Sequence, residues 1–264
     1  MPRILPSTTS HKGEPILPTL EVFSRLGLRD LDLNLGHLIE GGVPVEEVAQ
    51  GLAAGGHTVW VVSGGWCDFY HRAPRIDETF ASVDRQVRIA RQLGVAELRL
   101  FFGRLKHEDY TRTSRDIICE NLRRLSDQYP DIALMFENHD GASLYPDTCR
   151  EILGLVDRPN VRMNFDPINF ARAGVDSMDA LHILQPLIGH VHLKGLDAGE
   201  LSEFGVGDVD LTPVIRSLLS HGYTGSFTVE YEGKFDRTLR LYQSVRRAET
   251  VLQDLLRTLK TDAT

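Results

Sequence analysis

Eight times along this chain, a short β-branched or apolar run is followed by an amphipathic stretch. The runs at 3–6, 30–35, 58–63, 97–102, 132–138, 161–165, 190–194 and 226–231 have the length and residue types of buried strands. Between them lie helical patterns. Ile117, Ile118, Leu122 and Leu125 share a face at three-to-four spacing, as do Leu211, Val214, Ile215 and Leu218. A longer stripe follows at Tyr242, Val245, Ala248, Leu252, Leu255 and Leu259. Punctuation agrees: the glycines within 51–56 and Tyr129 before Pro130 mark helix ends, and Pro213 falls in the first turn of a helix opened by Asp210. Eight pairs over 264 residues give about 33 residues per unit. Such alternation argues for an α/β fold, a parallel sheet with covering helices, and eight units favour closure into a (β/α)8 TIM barrel over an open doubly wound sheet. No Pro/Ser-rich linker, charge block or low-complexity tract divides the chain, so residues 1–264 read as a single domain.

Composition narrows the function classes. A hydrophobic fraction of 42% with 25% charged residues is that of an ordinary globular protein. A chain of this length buries roughly 70–75% of its unfolded surface and needs no metal or disulfide for stability alone. The net charge is −8 with no basic stripe, which argues against nucleic acid as a partner. The 3 cysteines, Cys67, Cys119 and Cys149, are odd in number and lack CxxC spacing, pointing to a reduced, cytoplasmic setting. The N-terminal residues lack the apolar core of a signal peptide, and no window approaches 18 consecutive apolar residues, so no membrane span is expected. No Gly-x-Ser-x-Gly elbow or P-loop occurs, and the glycines at 51–56 have the wrong spacing and setting for a dinucleotide fingerprint. His107 and Glu108 lack the second histidine of a zinc-protease helix.

What remains is at the ends of the last four runs, where barrel chemistry belongs. The fifth ends in Glu137, Asn138 and His139, and the sixth in Asp166 and Asn169. The seventh holds His190, His192 and Lys194, and the eighth ends in Glu230 and Glu232. Glu137, Asp166, His192 and Glu230 are 29, 26 and 38 residues apart, about one βα unit each. Three carboxylates converging at a barrel mouth repel one another unless a cation compensates. One divalent ion held by three carboxylates and one imidazole resolves this, and the mostly hard donor set suits Mn²⁺, with Mg²⁺ or Co²⁺ as alternatives. His190 and His192, two apart, share a strand face. His192, nearer the mouth, is the expected ligand; His190 lies a layer lower, satisfied by a neighbouring carboxylate or serving as a second ligand. Lys194 on the same face is either a substrate contact or a solvated loop lysine. His139 and Trp66 are candidate pocket residues, and Trp66, Phe69, Tyr70, Phe101 and Phe102 form either a pocket wall or core. The loop at 204–210, flexible at its glycines, reads as a pocket cover or a plain turn.

These strand ends resemble the xylose-isomerase-like TIM-barrel superfamily, the sugar phosphate isomerase/epimerase group. The resemblance spans essentially the whole chain and is strongest over 133–233. Its pieces are Phe-Glu137-Asn, Asn-Phe-Asp166, His-Val-His192-Leu-Lys, Phe-Gly205-Val-Gly207-Asp-Val-Asp, and Gly222-Tyr-Thr-Gly225-Ser-Phe-Thr-Val-Glu230. It implies that Glu137, Asp166, His192 and Glu230 bind one divalent metal and that the two glutamates are the acid/base pair. Lys194, Asn169, His139, His190 and Trp66 then become substrate-binding candidates. The departures leave the subfamily open. Ketose 3-epimerases of this group have histidine where this chain has Asn169 and arginine where it has Ala198. The inosose dehydratase branch has aspartate where this chain has Gly195. The extra metal ligands of the endonuclease IV branch are missing from the earlier strand ends.

The implied activity is isomerisation or epimerisation of a small keto-sugar or related polyhydroxy carbonyl compound by proton transfer through an enediolate. The alternative is a metal-dependent dehydratase or lyase acting on a keto-sugar or keto-cyclitol, with Lys194, His139 or His190 as proton donor. A phosphodiesterase of the endonuclease IV type is more remote. A small carbohydrate is the expected partner, and a homo-oligomer is compatible with the chain.

Overall fold

The computed structural model describes residues 2–262. Eight parallel strands form the barrel wall: β1 (Ile4–Pro6), β2 (Asp30–Asn34), β3 (Thr58–Ser63), β4 (Glu97–Phe101), β5 (Ala133–Glu137), β6 (Val161–Phe165), β7 (Ile188–Leu193) and β8 (Phe227–Val229). Strands β2 to β8 pair in chain order, and β8 also pairs with β1. Closure between β1 and β2 rests on one parallel bridge, Ser7 to Asp32. The seam is thin because β1 ends at Pro6 and the chain turns at once into a 3-10 helix, Thr8–His11.

The outer layer is α1 (Ile16–Arg25), α2 (Val45–Gly55), α3 (Arg75–Gln92), α4 (Arg112–Gln128), α5 (Pro146–Val156), α6 (Ser177–Leu184), α7 (Thr212–Ser220) and α8 (Arg237–Asp262). Local chemistry sets their ends. Thr111 and Ser114 cap α4 reciprocally, and Gly56 stops α2 in the left-handed region at φ 65°. The stripes expected on α4, α7 and α8 are the buried faces, with Ile117, Tyr242 and Leu259 half-exposed at their margins.

Because side chains alternate across a strand, each one serves two compartments. Leu98, Leu100, Leu134, Phe136, Met163, Phe165, Val191 and Leu193 join the hydrophobic core between strands and helices. The intervening positions fill the barrel with polar groups: Asp32, Arg99, Glu137, Asn164, His190, His192 and Thr228 are all buried. Strand β7 begins two residues earlier than the pattern suggests because Gly189 belongs to it. A Cβ at 189 would lie 2.7 Å from Met135 Sδ and 2.8 Å from Arg162 Cβ, so the barrel floor closes only over glycine. A two-stranded hairpin, Gly195–Asp197 with Glu200–Ser202, follows β7 and had no signature in the alternation.

Candidate metal centre and its cavity

Parallel pairing brings the four expected ligands to one level. Glu137 is the last residue of β5, Asp166 and Glu230 directly follow β6 and β8, and His192 lies near the end of β7. Asn138 locks the first two together: its Nδ2 donates to Asp166 O at 2.8 Å and its Oδ1 accepts from Asp166 N at 2.9 Å. Asp166 then caps the short helix Pro167–Arg172, its Oδ1 accepting from Ile168 N at 2.9 Å and Asn169 N at 3.0 Å. That leaves Oδ2, which meets Lys194 Nζ at 2.9 Å.

The donors converge. One ligand atom from each of Glu137, Asp166 and His192 lies within 4.8 Å of the others, and all three residues are buried. His192 Nδ1 stands 3.6 Å from Glu137 Oε1 and 3.4 Å from Glu230 Oε2, and neither ring nitrogen makes a hydrogen bond. A fully buried imidazole facing two carboxylates without a hydrogen bond is what a cation between them would satisfy. The donor set and its orphaned nitrogen therefore fit a divalent ion.

Three side-chain cations, Lys194, Arg99 and the His192 imidazolium, balance these carboxylates. Lys194 Nζ lies 2.9 Å from Asp166 Oδ2, 2.9 Å from Glu232 Oε1 and 3.6 Å from Glu230 Oε2, its side chain only 1% exposed. The solvated-loop reading of this lysine is thus wrong. Burial disfavours the charged form of Lys194, yet Asp166, Glu232 and Glu230 outweigh it and raise its pKa. Burial likewise opposes the His192 imidazolium, and Glu230 and Glu137 more than compensate. Glu137 resists burial through His192 and Arg99, which hold its carboxyl at about 2, and His192 and Lys194 hold Glu230 low in the same way. Asp166 goes up, because burial exceeds the help from Lys194.

A second polar layer lies beneath. Asp32 Oδ2 accepts from Ser63 Oγ at 3.0 Å and Thr228 Oγ1 at 3.1 Å, and burial pushes its carboxyl up to about 6. His190 Nε2 is 2.8 Å from Thr228 Oγ1. Since that hydroxyl gives its one proton to Asp32, His190 donates to it through Nε2. The expected carboxylate partner of His190 is therefore corrected to a threonine hydroxyl, with Asp32 one bond further on. Asp32, His190 and His192 form a second group of possible donors; Asp32 Oδ2 serves two hydroxyls, while its Oδ1 and His190 Nδ1 make no hydrogen bond.

Above the donors opens a cavity of about 280 Å³, lined among others by Glu137, Glu230, Lys194, His139, Trp66, Phe101 and Arg99. It suits a small molecule. Trp66 stacks on Phe101 at 4.4 Å, and the His139 ring meets both edge-on at 5.1 and 5.0 Å, making one aromatic wall. The aromatic cluster thus divides: Trp66 and Phe101 face the cavity, while Phe69 and Phe102 are core. Asn169 and His190, expected near a substrate, do not line it. Asn169 Nδ2 instead donates to Glu137 Oε1 at 3.2 Å and Asn138 O at 2.9 Å. The 204–210 loop is no cover either, for Phe204 is buried beside α8, its N donating to Ser244 Oγ at 3.2 Å.

Sequence reasoning missed Asp32 and Arg99 and gave Glu232 no role. The first two had a signal: in Leu-Asp32-Leu and Leu-Arg99-Leu a charge interrupts an apolar run, which in a closed barrel means an inward-facing group. Glu232 had the same two-residue offset from Glu230 that singled out Lys194.

Residues 24–260 match the family model for the xylose isomerase-like TIM barrel. Among curated proteins, the 3-dehydroshikimate dehydratase of Bacillus anthracis is 23% identical over 128 residues, 47% of this chain and 45% of that protein. The aligned segment therefore spans about half the length of that relative. An L-ribulose 3-epimerase structure superposes with a TM-score of 0.85 at 15% identity, covering 100% of this chain and 99% of that one. A xylose isomerase-like protein from Mycobacterium smegmatis, solved with magnesium, gives 0.75 at 19% identity over 96% and 97% of the two chains.

Proposed function

This chain belongs to the xylose isomerase-like TIM-barrel family, and from that premise we propose that it is a divalent-metal-dependent isomerase or epimerase of a small keto-sugar or related polyhydroxy carbonyl compound. The observation that carries this reading is that Glu137 and Glu230 line one cavity and meet at His192 Nδ1. A divalent ion, Mn²⁺ first among the candidates, held by Glu137, Asp166, His192 and Glu230 would supply Lewis-acid polarisation of a substrate carbonyl. The rest falls to side chains. One glutamate takes the proton from the carbon beside the carbonyl, and the other returns a proton to the opposite face or the neighbouring carbon. Asn169 and Arg99 hold Glu137 from two sides, at 3.2 Å each, so its carboxylate enters the reaction already oriented. The wall of Trp66, Phe101 and His139 offers an aromatic face to one side of a bound substrate.

A second reading, dehydration, has its own support. Lys194 and His139 both line the cavity and could protonate a departing β-hydroxyl, and one curated relative is a dehydratase. Incubating the protein with Mn²⁺ and a keto-sugar panel in D₂O separates the two. Deuterium at an α carbon with an isomeric product supports the first, and loss of water with enone absorbance supports the second. Turnover without exchange or loss of an α hydrogen would overturn both.

A further inference from the structure

Lys194 poses a problem for the metal site. Its ammonium lies against Asp166 Oδ2 at 2.9 Å and Glu230 Oε2 at 3.6 Å, two of the oxygens assigned to the ion. An incoming divalent cation competes with a resident cation for these oxygens, and at such distances in a buried site the two repel strongly. The side chain is only 1% exposed, so solvent alone does not balance its charge. The ammonium must keep a counter-charge that is not itself a metal ligand.

Glu232 is that counter-charge. Lys194 Nζ donates to Glu232 Oε1 at 2.9 Å, from the side of the lysine that faces the cavity mouth, where Glu232 is 33% exposed. Neither Glu230 nor Glu232 belongs to a group of converging metal donors, and Glu232 lies outside the ligand quartet proposed above. It stands two residues beyond Glu230 on the extended segment after β8, so one stretch of chain carries both a ligand and the partner of the competing lysine. Of the carboxylates touching Lys194, it alone is both outside the proposed ligand set and open to the cavity.

We propose that Glu232 is a positioning residue: it gives the Lys194 ammonium a counter-charge on the cavity side, to which the lysine turns when a metal takes Asp166 and Glu230, so that metal and lysine occupy the mouth together. The inference rests on the ligand quartet given above. Without the Glu232 charge, Asp166 and Glu230 are the carboxylates left in contact with the ammonium, and it stays on the oxygens the ion needs. Glu232 thereby sets metal affinity through Lys194, and it also fixes where the lysine stands relative to a bound substrate.

The test is a double-mutant cycle on Mn²⁺ affinity, read as free Mn²⁺ by electron paramagnetic resonance, with no substrate present. E232Q should weaken binding about tenfold, E232D should restore most of it, and K194M should bind at least as tightly as wild type. In the K194M background, E232Q should have little further effect. Co²⁺-substituted wild type and E232Q should show the same visible absorption, since the ligands are unchanged. An equal loss from E232Q with and without Lys194 would reduce Glu232 to a distant charge and overturn the proposal, as would unchanged affinity in E232Q. If K194M does not fold, the E232Q and E232D pair decides: equal weakening in both overturns it. Wild-type protein that binds no Mn²⁺ would instead overturn the ligand quartet.

Discussion

The guanidinium of Arg99 lies 3.2 Å from Glu137 Oε2 inside the barrel, the two side chains 5% and 2% exposed. Its Nη1 also donates to Gly64 O at 3.0 Å, tying β4 to the end of β3. A buried carboxylate stripped of such a partner is left as an uncompensated charge, which costs about 3–5 kcal/mol in typical proteins. R99M should therefore lower the unfolding free energy of the metal-free protein by about 3 kcal/mol, measured by urea denaturation. Adding Mn²⁺ should recover part of that loss. A change below about 1 kcal/mol would mean that Glu137 is balanced by His192 alone.

His192 contributes the one nitrogen among the four expected ligands. H192A should abolish stoichiometric metal binding while leaving the barrel folded, because the ring makes no hydrogen bond that supports the fold. Metal content after dialysis, alongside far-ultraviolet circular dichroism, checks both halves. Unchanged metal content in the variant would remove His192 from the site.

Glu137 and Glu230 are expected to carry protons. E137Q and E230Q should each reduce turnover about 10²-fold or more, the usual scale for losing a general acid or base. Measuring kcat at saturating Mn²⁺ separates this from weaker metal binding. Near-normal rates in both variants would assign proton transfer to another residue.

Away from the site, His11 supplies a pH-dependent term in stability. Burial pushes its pKa below the ordinary histidine value, and its Nε2 is bonded to Thr238 Oγ1 at 3.1 Å. The unfolded chain then binds a proton at a higher pH than the folded one. The contribution is fully present above about pH 6.5 and is lost as pH falls from there through the lower, folded-state value. The stability difference between wild type and H11Q should accordingly shrink between pH 7.5 and pH 5. A difference that stays constant or grows as the pH falls would show that His11 is not held neutral by the fold.

The barrel and its metal-binding candidates were legible for a physical reason. A parallel strand covered by helices is apolar on its outward face throughout, so each strand stood out as a short run, and the observed bounds differ by a residue or two. A carboxylate or imidazole placed directly after such a run has few other places to be than the barrel mouth. That is why Glu137, Asp166, His192 and Glu230 could be chosen together from spacing alone. The inward-facing Asp32 and Arg99 carried a weaker mark, one charge between two leucines.

What the one-dimensional pattern determined is which residues reach the mouth: eight strands, their order, and four candidate ligands at consecutive ends. What only the tertiary structure decided is who meets whom there. Arg99 and Glu137 are 38 residues apart, as are Lys194 and Glu232 and as are His190 and Thr228. Each pair joins neighbouring strands, and its contact depends on stagger around the barrel and on which direction a long side chain takes. Asn169 turned to Glu137 rather than to the cavity because Asp166 caps the short helix that carries it. Periodicity records only whether a side chain faces inward or outward. The choice among inward partners is made by distances of 3 to 4 Å, and these exist only once the barrel has closed.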